Sequence, residues 1–183
     1  MIAALTALLL AAQAAPAAKP AAAKPPSMSF QPKTMVEAGA LQVVLGERAV
    51  FHLQNGAPVV DQVEKGKLAI AHPEGAVTET FAAPGDGKLA AALDGSAEKR
   101  ASSLKIWNGT AEPVSYRAVV LVLKGPQTVE PRPVLVCSVK PGETWVETWP
   151  APVVAVGMSA FKTGAGENKP CPPPAAVAKA PAK

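Results

Sequence analysis

Between Leu41 and Phe161 apolar and polar residues alternate in short runs broken by Gly, Pro, Asn and Asp. That period of two marks half-buried strands. The clearest stretch is Leu104 to Leu123. Leu104 and Ile106 alternate with Lys105 and Trp107, and Val114, Tyr116, Ala118, Val120 and Val122 resume the pattern after Asn108-Gly109-Thr110-Ala111-Glu112-Pro113. Asn-Gly tolerates positive φ and Pro113 presets φ for the next strand, so this segment predicts a hairpin. Val119 to Leu123 is apolar on both faces, as expected of a central strand between two layers.

The same period predicts strands on both sides. Leu41, Val43 and Leu45 alternate up to Gly46-Glu47, and Val50-Phe51-His52-Leu53 leads through Asn55-Gly56 into Pro58-Val59-Val60. Residues 67–71 and 76–81 follow, then Leu89, Ala91 and Leu93 after the Gly85-Asp86-Gly87 turn. Residues 94–102 read as a polar loop. Residues 134–139, 144–149 and 153–161 complete the series. Strands of this number and spacing predict an all-β, antiparallel sandwich or barrel. Leu53-Gln54-Asn55-Gly56-Ala57-Pro58-Val59 also echoes Ile106-Trp107-Asn108-Gly109 with Pro113-Val114. Hairpin chemistry alone produces such an echo.

Composition changes the picture at the two ends. Ile2 to Ala12 is apolar and runs into Ala12-Gln13-Ala14, an A-x-A cleavage pattern, with no Lys or Arg near Met1. The run is too short for the ~20 residues of a membrane span, so residues 1–14 read as a signal peptide and stable membrane insertion is not expected. Residues 15–35 and 162–183 are rich in Pro, Ala and Lys and hold too little apolar surface to fold, so both read as disordered tails around a single domain at 36–161. The chain's net charge of +4 divides unevenly. Residues 36–161 hold 11 Lys/Arg against 13 Asp/Glu, a net of −2, and the flanks carry the excess lysines. A nucleic-acid partner, which needs positive charge on the folded surface, is therefore not expected. Aromatic residues make up only 4%, which leaves Ala, Val and Leu to fill the core.

The pattern L-x-I-x-N-G-T-x-x-P-V-x-Y-x-A from Leu104 to Ala118 resembles adjacent strands of exported bacterial immunoglobulin-like domains. The resemblance covers about 20 residues and implies an immunoglobulin-like β-sandwich, not an activity. The Cys…Trp…Cys arrangement of antibody domains is absent, because Cys171 lies beyond the strands.

Candidate chemistry is sparse. Cys137 and Cys171 make an even pair, which in an exported protein predicts a disulfide. Closing that loop of about 34 residues stabilises by about 3.5–4 kcal/mol in the chain-entropy account. There is no C-x-x-C redox pair. His52 and His72 lack the close spacing of zinc ligands, and Met28, Met35 and Met158 do not cluster with them as a copper site would require. No G-x-S-x-G elbow occurs, and Gly85-Asp86-Gly87-Lys88 is too short for a phosphate loop. Asp61/Glu64 and Glu143/Glu147 are the carboxylate pairs. No metal or cofactor is expected.

The tryptophans are the remaining candidates for ligand binding. Trp145, Glu147 and Trp149 share one face of a strand, and Trp107 is expected beside Arg117 across the hairpin, within cation–π reach. Exposed rings would make a platform for sugars or peptides. Buried rings would be core, and the apolar run 153–161 beside them favours burial. The expected function is a non-catalytic, exported binding or structural module of the cell envelope that engages another protein or a wall polymer. A carbohydrate-binding module using Trp107, Trp145 and Trp149 is the alternative, and a small envelope enzyme the third.

Overall fold

A computed structural model describes residues 33–125 and 128–164. The expected signal peptide and most of both expected tails, Cys171 included, lie outside the described residues, while Met35 and residues 162–163 of those tails fall in strands. The described chain is all-β. Ten strands occur in the order β1 (Met35–Glu37), β2 (Ala40–Val44), β3 (Glu47–Gln54), β4 (Ala57–Lys65), β5 (Leu89–Ser96), β6 (Ala101–Asn108), β7 (Val114–Gly125), β8 (Thr128–Val134), β9 (Thr144–Trp149) and β10 (Val153–Thr163). They form two five-stranded sheets, β1-β2-β10-β7-β8 and β4-β3-β5-β6-β9, and every strand pair is antiparallel.

Alternation of side chains places Leu41, Val43, Phe51, Leu89, Leu93, Leu104, Val156 and Met158 between the sheets, each fully buried or nearly so. Phe161 joins Phe51 edge-on at 5.6 Å and stacks on Tyr116 at 5.8 Å between ring centroids. This is the sandwich that the periodicity predicts.

The expected Leu104–Leu123 hairpin is not a hairpin. β6 pairs with β5 and β9, whereas β7 pairs with β10 and β8. The segment between them carries the chain from one sheet to the other. The Asn108 side chain, 1% exposed, holds this crossing. Its Nδ2 donates to the carbonyls of Glu112 (2.8 Å) and Val139 (2.9 Å), while its Oδ1 accepts from Thr110 N and Oγ1. Gly109 is required for close approach. A Cβ there would meet Lys88 O at 2.8 Å and Gly85 O at 2.9 Å.

Three further expectations fail. Residues 67–71 and 76–81 are not strands. The connection from β4 to β5 instead lies over the outer face of the second sheet, where Leu68, Ala71 and Phe81 bury Val50, Ala90, Ala92 and Trp107. Buried Asp94 anchors it, accepting from Leu68 N at 2.8 Å and contacting His72 Nε2 at 2.9 Å. β5 is thus covered on both faces, which is why its small, apolar Ala90-Ala91-Ala92 run suits it. The expected polar loop 94–102 is mostly strand, since β5 runs to Ser96 and β6 starts at Ala101, and β8 precedes the expected 134–139. Pro131 and Pro133 argue against a strand inside a sheet, but β8 is an edge, where imide nitrogens two residues apart can face solvent.

Candidate functional site

The sheet crossing separates Trp107 from Arg117. Trp107 is 5% exposed, under the β4–β5 connection, and its ring lies 5.6 Å from the Arg48 guanidinium and 4.9 Å from Lys105 Nζ. Arg48 is itself buried, sits 5.1 Å from the Phe81 ring, and bonds Glu64 (2.8 Å) and Ala82 O. Lys105 pairs with Glu79. Arg117 is exposed on β7 in the other sheet. The cation–π contact expected of Trp107 exists, but with Arg48 and Lys105 in place of Arg117.

Trp145 and Trp149 lie on β9, an edge strand, half-buried and packed against the main core. Glu147 between them turns inward too. Its Oε1 accepts from Trp145 Nε1 at 2.6 Å, and Cys137 Sγ lies 4.0 Å from the same oxygen. Tyr116, on the facing sheet, buries a hydroxyl that has no hydrogen-bond partner among the described residues. Burial, with the Glu147 carboxylate second, holds this phenol well above its ordinary pKa. The phenol therefore stays neutral at physiological pH. The strand-end position of Cys137 is corrected as well, since it is buried in the irregular segment after β8.

The remaining titratable candidates are engaged in pairs. His52 Nδ1 lies 3.0 Å from Asp61, which also faces Lys88 at 3.4 Å, and Glu143 lies 3.8 Å from Lys140. Among the described residues no three His, Cys, Asp or Glu side chains group as metal ligands. Among the same residues no helix is long and apolar enough to cross a membrane.

A cleft of about 480 Å³ lies at one end of the sandwich. Its walls come from the β2–β3 crossing at Leu45, the β5–β6 turn, the end of β7 and the start of β10. Leu45 N donates to Val154 O and Gly46 N to Leu93 O, so the crossing is held by backbone bonds while the Leu45 side chain stays 45% exposed. Ser102 Oγ contacts Ala151 O and Val153 N, each at 3.0 Å, and ties the turn to β10. Leu123 and Val154 complete an apolar lining. Sequence reasoning missed this site because its residues come from separate segments. The available signal was the Leu45-Gly46 break and the last apolar residue, Leu123, of a strand expected to be wholly buried.

Comparison with protein-family models, with curated proteins and with solved structures found no match for this chain.

Proposed function

We propose that the chain is a non-catalytic, exported module of the cell envelope that engages another protein through the apolar cleft. The observation that carries this reading is the cleft itself, with Leu45 45% and Leu123 37% exposed beside Val154. Large apolar side chains left open together mark interaction surfaces. The carboxylates that an enzyme would need are occupied: Asp61, Glu64 and Glu143 by cationic neighbours, Glu147 by Trp145. The inward-turned rings of Trp145 and Trp149 favour this reading over a sugar-stacking platform.

Export rests on the Ile2–Ala14 pattern and on the cysteines. Thr163 registers with Val114, which bridges to Val139, two residues from Cys137. Two strand spacings separate these positions by ~10 Å. The seven Cα-to-Cα steps from Gly164 to Cys171 can span ~23 Å, enough to close a Cys137–Cys171 disulfide.

The test is fractionation with N-terminal sequencing, then crosslinking in the envelope. The protein should begin at or near Ala15, and a crosslinked species should disappear in Leu123→Asp while the melting temperature holds. Recovery of intact Met1, or crosslinks indifferent to Leu123→Asp, overturns the proposal.

A further inference from the structure

Resting on that reading of the cleft, the chemistry of its rim identifies the kind of segment it takes. The lining is apolar with one charged residue, Arg100. The folded core around it is net negative, so a cation at this rim is not part of a generally basic surface. Arg100 and Arg117 have no ion pair or side-chain hydrogen bond among the described residues, whereas Arg48 and Arg132 are paired, and of the two only Arg100 borders the cleft. It also occupies a left-handed backbone position (φ 52°) that closes the β5–β6 turn, where glycine would sit without strain. An unpaired arginine beside open leucines suits recognition of an anion.

Val154, half-buried, stands with Leu123 in the same lining. The chain's own first 32 residues do not match, because they contain lysines and no carboxylate.

We propose that the cleft docks a polypeptide segment that presents apolar side chains next to an acidic one, with the carboxylate paired to Arg100. Charge complementarity at such a rim sets which partner is accepted.

Panning a phage library of random peptides against the immobilised full chain tests this. The enriched peptides should combine apolar residues with an adjacent Asp or Glu. Against Arg100→Glu the acid preference should switch to Lys or Arg, with affinity for the original peptides down about tenfold. Leu123→Asp, at an exposed position, should abolish enrichment without lowering the melting temperature. Apolar enrichment with no charge preference, unchanged by Arg100→Glu, overturns the inference and leaves docking at the cleft intact. Enrichment indifferent to Leu123→Asp, or none, overturns both. Two further outcomes overturn the inference by naming another occupant. One is sodium dodecanoate binding that Leu123→Asp removes in the absence of peptide enrichment. The other is a concentration-dependent dimer that the same variant dissolves.

Discussion

The chain contains two Asn-Gly turns with similar flanks, and they do opposite things. Asn55-Gly56 closes a two-residue hairpin between β3 and β4, both residues exposed and at positive φ (52° and 77°). That is the backbone twist a tight antiparallel connection demands. Asn108-Gly109 sends the chain to the opposite sheet. Neither residue has positive φ; Asn108 is buried and works through its side chain, and Gly109 through its missing one. The same dipeptide thus serves as a conformational device in one place and as a hydrogen-bond hub in the other. What decides is the spacing after it. A two-residue hairpin requires the next strand at once, and β4 begins at Ala57, whereas β7 waits until Val114.

The contrast breaks most severely at Asn108. Asn108→Ala should cost about 3 kcal/mol, because the carbonyls of Glu112 and Val139 and the Thr110 donors lose their partner in a buried crossing. Urea unfolding measures it, and a loss below about 1 kcal/mol would show that the hub is dispensable. Gly109→Ala comes next at about 2 kcal/mol, since Lys88 and Gly85 must move their backbones aside. Its signature is disturbed amide shifts at Gly87 and Lys88, whose backbones now bond Gly109. At the exposed turn, Gly56→Ala should cost only about 1 kcal/mol, from positive φ alone, since its nearest contact is Phe161 O at 3.7 Å. Equal losses at Gly56 and Gly109 would erase the distinction.

The smallest effect lies just past the crossing. Tyr116→Phe removes a buried hydroxyl without a partner among the described residues and should change stability at pH 7 by less than about 1 kcal/mol. Its consequence appears in alkali. The folded phenol's pKa is raised, so its contribution is present below the unfolded value of about 10 and lost as pH rises beyond it. Stability of the parent protein should fall above that pH more steeply than that of the variant, as melting temperatures from pH 8 to 11 would show.

The sequence made the sandwich legible because alternation reports burial directly, and the apolar run 153–161 pointed to the packing of Trp145 and Trp149 against the core. Alternation says which face is buried but not which sheet a strand joins, so the crossing at Asn108 escaped it. It also misreads apolar residues that bury against a sheet's outer face, as Leu68 and Phe81 do without being strands. β8 was hidden by Pro131 and Pro133, whose meaning depends on being at an edge. The cleft was the least legible part, since Leu45, Arg100, Leu123 and Val154 meet only after both sheets have closed.

One feature of the first sheet governs how the molecule can be made. β10, the last strand of the described residues, lies between β2 and β7 and hydrogen-bonds to both. A ribosome delivers β2 more than a hundred residues before Val153, so β2 has no partner on that side until the domain is almost entirely synthesised. Folding cannot be vectorial. The sheet closes in a late, long-range step, of the kind that makes β-rich domains slow, and the nascent chain stays open until its final strand arrives.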